Sequence, residues 1–126
     1  MSFHIPDKLF CLLIIEGGFV LKKIHENAIE VKVIPGKLGA VDAFDVISQP
    51  ITAGVRIIRK NSDVPTRIHS HPERQILYVI EGRASITNTV FSLDLEPGDF
   101  VLLDPNEEHY VVTKDEEAKV FEIKYS

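Results

Sequence analysis

From Phe19 onward the apolar residues come in short runs broken by turn residues, and almost none recur at the spacing of an amphipathic helix. The runs predict strands over 19–24, 29–34, 43–48, 52–59, 67–70, 75–80, 83–87, 90–95, 99–103, 109–113 and 119–125. The proline-glycine pairs at 35–36 and 97–98 predict type II turns, with each glycine supplying the positive φ. In the last run Phe121, Ile123 and Tyr125 alternate with Glu122 and Lys124, the pattern of a half-buried strand. The run 75–80 is apolar at both parities from Ile76 on. It is expected to be central, covered on both sides by a second sheet, the N-terminal segment or a partner subunit. One short helix is expected near the start, with Pro6 in its first turn, Asp7 favourable to its dipole and Gly17 as a stop.

Composition narrows the class. The chain has 126 residues, 44% hydrophobic and 26% charged, which suits a single folded domain spanning 1–126. A formal charge of −5 and a pI near 5.5 give no basic field to draw nucleic acid or an anionic membrane. The single cysteine, Cys11, has no intramolecular partner and sits in an apolar run, as a small buried thiol does, and a cytoplasmic protein is expected. That run, 9–15, is shorter than the ~18 residues needed to span a bilayer, and it lacks the flanks of a signal peptide.

The chemistry-bearing stretch is Arg67 to Gln75, RIHSHPERQ. On a strand, His69 and His71 point the same way and form a clamp. Borderline divalent metals want at least three protein ligands, so further donors are needed. His109, expected to open a strand after the loop 104–108, is one candidate. The amide oxygen of Gln75 is another. His4 and His25 are isolated and read as surface or satisfied core residues. On the residues alone, His69, His71, Gln75 and His109 form either a ligand set or a polar patch.

Two separated motifs resemble those of the cupins. The first, His-x-His, an acidic position and a glycine, falls at His69, His71, Gln75 and Gly82; the second runs from Gly98 to His109. The resemblance covers 52–125, with 1–51 supplying the remaining strands. It implies an all-β jelly-roll barrel (a double-stranded β-helix) and a homodimer. It also implies one divalent transition metal (Zn, Ni, Fe, Mn, Co or Cu) on His69, His71, Gln75 and His109.

Several positions depart from the family pattern. Asp63 and Asn106 stand where glycines are usual, and both types tolerate left-handed backbone. Asp104 stands where a proline is usual, with Pro105 one place on, and Thr113 replaces an asparagine. Gln75 replaces a glutamate, which leaves a bound divalent ion about one unit more positive. Glutamate restored at 75 is therefore expected to tighten metal binding. Some cupins that process small acids and sugar acids carry the same four-residue set.

The implied functions are metal-dependent isomerase or lyase chemistry on a small organic or sugar acid, a Fe or Mn dioxygenase of an enol, and non-catalytic binding of a small ligand. Glu73, Arg74, Glu107 and Glu108 are candidate acid–base groups at the mouth or merely solvated loop charges. Arg56 and Lys60 are candidate anion binders if they point inward. Tyr78 and Tyr110 are expected to pack away from the metal.

Overall fold

The computed structural model describes residues 21–126, so Cys11, His4 and the expected N-terminal helix lie outside the described residues. The strands are β1 (Lys32–Pro35), β2 (Ala40–Ile47), β3 (Thr52–Ile58), β4 (Asp63–Val64), β5 (Arg74–Glu81), β6 (Ala84–Thr87), β7 (Ser92–Leu95), β8 (Phe100–Leu103), β9 (Tyr110–Val112) and β10 (Ala118–Tyr125). All pairings are antiparallel. One sheet has the order β1-β2-β3-β10-β5-β8 and the other β4-β9-β6-β7. This is the all-β jelly-roll barrel implied by the resemblance.

The core lies between the two sheets, where Val41, Ile58, Leu77, Val79, Val101, Leu103 and Val120 of the larger sheet meet Val64, Ile86 and Leu95 of the smaller. Alternation places them there, because every second residue of a strand faces the same side.

Several expectations are corrected. Residues 21–24 form no strand, and a single 3-10 turn, Glu26–Ala28, follows them, capped by the ring of His25. No strand forms over 67–70 either, whereas the unexpected β4 pairs with β9. Pro65 and Pro72 bracket the histidine segment and remove two backbone donors, so it cannot make a continuous ladder.

The faces of β10 are the reverse of simple hydrophobic burial. Glu122 is buried beside Val120 and Ala118, while Phe121 is 36% exposed on the outer side. As expected, β5 is central, between β10 and β8; its inner face is covered by the smaller sheet, and the N-terminal segment expected as a cover for its outer face lies outside the described residues. Gln75, Leu77 and Val79 are buried on the inner face, while Ile80 on the outer face is 38% exposed.

The glycines and their stand-ins also sort differently. Gly98 has the expected positive φ of 98°, but Gly36 does not; its place is set by crowding, since an added Cβ would lie 2.4 Å from the Asp63 carbonyl oxygen. Asn106 is left-handed at φ 64°, as expected of a glycine substitute, whereas Asp63 is extended and the left-handed residue nearby is Asn61.

Candidate metal centre

Two loops and one strand converge at one end of the barrel. His69 and His71 come from the irregular segment before β5, Gln75 from the inner face of β5, and His109 from the residue preceding β9. The segment is held in place without a ladder. The His69 N–H donates to the Tyr110 hydroxyl (3.1 Å) and the His69 carbonyl accepts from the His109 N–H (3.3 Å). The His71 carbonyl accepts from the N–H of left-handed Asn106 (2.7 Å). Arg67 lies 3.7 Å over the Tyr110 ring and pairs with Asp63 at 2.7 Å, closing the segment from outside. Tyr110 thus packs away from the rings, as expected, and also anchors one of them. Tyr78 points outward against Phe100, with ring centroids 4.6 Å apart.

The three imidazoles meet edge to edge, with centroid separations of 5.4, 4.7 and 5.1 Å. One ring nitrogen from each lies within 4.8 Å of the others, an arrangement able to hold an ion. The rings are also oriented for it. His71 Nδ1 faces the Glu73 carbonyl at 3.0 Å and His109 Nδ1 faces the Glu107 carbonyl at 2.7 Å. A carbonyl only accepts, so both Nδ1 atoms carry a proton, and a neutral ring then presents a bare Nε2 lone pair.

The donor set around Gln75 asks for a cation. His71 Nε2 lies 2.8 Å from Gln75 Oε1. In the neutral ring with its proton on Nδ1 these two atoms are both acceptors, an arrangement that a shared positive ion, metal or proton, relieves. The other end of the amide is committed: Gln75 Nε2 donates to Glu122. Glu122 is held in turn by Arg56 Nη2 at 2.9 Å, and the same nitrogen reaches Asp45 at 2.6 Å. A polar chain therefore runs His71, Gln75, Glu122, Arg56, Asp45, buried in its three middle members and half-buried at its ends.

The protonation states suit the same role. Burial, reinforced by His109, Lys124 and His71, pushes the His69 pKa down to about 4. Burial also lowers that of His109, against the opposing pull of the Glu107 carbonyl. Both rings are neutral at pH 7, as ligands must be.

The other sequence candidates are dispersed. Glu107 accepts from Asn88 at 2.9 Å, and Glu108 accepts from the Tyr110 hydroxyl at 2.5 Å. The Glu73 carboxylate is 3.4 Å from His71 Nδ1, and Arg74 is an exposed neighbour of Asp104 at 4.0 Å. Lys60 is exposed on a turn. Thr113, in place of the asparagine, accepts from the Ser62 N–H (3.1 Å) and donates to the Arg59 carbonyl (2.5 Å), tying the start of β4 to the end of β9. Of the anion-binding candidates only Arg56 points inward, and two carboxylates already occupy it. The residues missed were Glu122 and Lys124, both on the inner face of β10 and both lining a cavity of about 100 Å³ beneath the histidines.

Residues 57–124 match the family model described as "Cupin domain". Among solved structures, the polyketide cyclase RemF from Streptomyces resistomycificus superposes with a TM-score of 0.71 at 17% identity, covering 83% of this chain and 79% of that one. A predicted oxalate decarboxylase from Thermotoga maritima gives 0.72 at 16% identity, with 82% and 98% covered. A cupin-like protein from the same organism gives 0.64 at 23%, with 72% and 74% covered. No curated protein matches the sequence.

Proposed function

Because the chain belongs to the cupin domain family, we propose that it binds one divalent transition metal through His69, His71, Gln75 and His109 and acts on a small organic acid or sugar acid by isomerase- or lyase-type chemistry. The observation that carries this reading is the confrontation of two acceptors, His71 Nε2 and Gln75 Oε1, at 2.8 Å beside two further neutral imidazoles. When bound, the ion supplies a Lewis acid that polarises an oxygen of the substrate. The chain's own part is to hold four neutral donors in fixed orientation, through the Glu73 and Glu107 carbonyls and the Glu122 carboxylate. Neutral donors leave the full charge of the ion to its remaining ligand, which favours an anion.

The apolar outer face of the larger sheet supports a homodimer. Phe100 is 70% and Leu102 74% exposed on the edge strand β8, beside Ile80, Tyr78 and Phe121. A contiguous apolar face of this kind fits the same face of a second copy. Among the described residues no helix is long and apolar enough to cross a membrane.

The test is a panel of small keto acids, uronates and enols offered to metal-loaded protein, with oxygen uptake and ultraviolet absorbance followed together. Absorbance change without oxygen uptake supports the isomerase or lyase. Oxygen uptake would instead indicate a dioxygenase, and binding without turnover a ligand-binding module.

A further inference from the structure

The cavity beneath the histidines is walled mainly by aliphatic side chains, among them Ile34, Ile58, Val64, Leu77, Val111 and Val120. Its charged lining is Arg56, Glu122 and Lys124. Arg56 and Glu122 satisfy each other, with Asp45 completing the group. Lys124 differs from them. It stands two residues after Glu122 on the inner face of β10, in direct register with Gln75 on β5 and Thr52 on β3. Among the described residues no carboxylate forms an ion pair with it. Glu107 and Glu108 do not line this cavity, and Glu73 meets Lys124 only across a neighbouring, more polar cavity that Thr52 and Ser126 also line.

We infer that Lys124 binds the carboxylate of a small monocarboxylic acid whose apolar body lies against the aliphatic wall of the cavity. The inference rests on the metal-binding reading above for the position of the acid's second oxygen, but the lysine and the wall are independent of it. An ammonium without an ion-pair partner, bordering a largely apolar space, is stabilised by an incoming anion more than by a neutral ligand. Size narrows the class. An enclosed water takes about 10–15 Å³ on the same measure, so a space of this volume suits a molecule of roughly seven to ten non-hydrogen atoms. A short branched 2-keto or 2-hydroxy acid falls in that range, and a uronate ring does not. The aliphatic wall selects further, against a second carboxylate, which would be desolvated there without a partner.

The experiment titrates the full chain loaded with Co²⁺, by calorimetry, with 3-methyl-2-oxobutanoate and with its uncharged amide. Lys124→Met keeps the aliphatic stem and removes the charge. It is expected to weaken acid binding by about tenfold or more, the value of one hydrogen bond to a charged group, with cobalt content unchanged. Lys124→Arg should restore most of the loss, and the amide should bind wild type and Lys124→Met equally. Equal binding of the acid by wild type and Lys124→Met overturns the inference, as does failure of the acid to bind any form. If wild type holds no cobalt, the metal reading fails separately. The same titration on metal-free protein then decides whether Lys124 binds the acid.

Discussion

Gln75 and Glu122 behave as one unit, and their pairing explains why an amide occupies a position where the family usually has a carboxylate. The amide N–H end satisfies buried Glu122, and only then does the oxygen end face His71. A glutamate at 75 would set two carboxylates against each other, so the tighter metal binding expected from added charge should not appear. Gln75→Glu is predicted to destabilise the fold by about 1–3 kcal/mol, the cost of a buried polar group that loses its partner. It should also leave metal affinity no higher than wild type. The exchange Gln75→Glu with Glu122→Gln restores a donor to the pair and should recover stability; urea unfolding and competition with a chelator read both effects. Tight metal binding by the single variant would contradict this account. His69 supplies a pH prediction. Its pKa is lowered by folding to about 4, against an unfolded value near 6.5, so the unfolded chain binds more protons between those values. Stability of the metal-free protein should therefore fall as pH drops from about 6.5 toward 4, and His69→Ala should flatten that slope.

At the scale of elements, strand positions were largely legible and strand faces were not. Turn residues and β-prone runs locate β2, β3, β5 and β10 to within a few residues, because those signals are local. The facing of β10 is set by what lies across the barrel. Glu122 is drawn inward by Gln75 and Arg56, partners 47 and 66 positions away in sequence, and no pattern within 119–125 announces them. For the same reason Lys124 passed as a solvent-facing residue. The clustering of His69, His71 and His109 was legible because motif spacing encodes it. The mechanism assumed for His69 and His71 was incorrect, since loop anchoring, and not strand alternation, brings them together. The chief anchor is the hydroxyl of Tyr110 on β9, which receives the His69 N–H and donates to Glu108. Tyr110→Phe should cost about 1 kcal/mol in stability. It should also weaken metal binding by roughly 10- to 100-fold, as loss of an orienting contact does, with the β signature in circular dichroism retained. Unchanged metal affinity would show that the segment holds His69 without the hydroxyl.

The described residues form a barrel with two unlike surfaces, an inner one with a polar chain ending at the histidines and an outer one that is largely apolar on the larger sheet. If the outer face is covered by a second copy, sedimentation should give a dimer, and Leu102→Asp on β8 should yield a folded monomer; a wild-type monomer at micromolar concentration would reject the homodimer. The inner surface carries the central claim, that this chain is a metal protein with His69, His71 and His109 at its centre. Elemental analysis of protein purified without chelator, and again after exposure to Zn²⁺, Ni²⁺, Co²⁺, Mn²⁺ and Fe²⁺, tests it directly. The predicted result is close to one ion per chain in wild type and little or none in His69→Ala or His109→Ala, with each variant still folded. A wild-type chain that stays empty of every metal offered, or variants that hold the ion as wild type does, would contradict it.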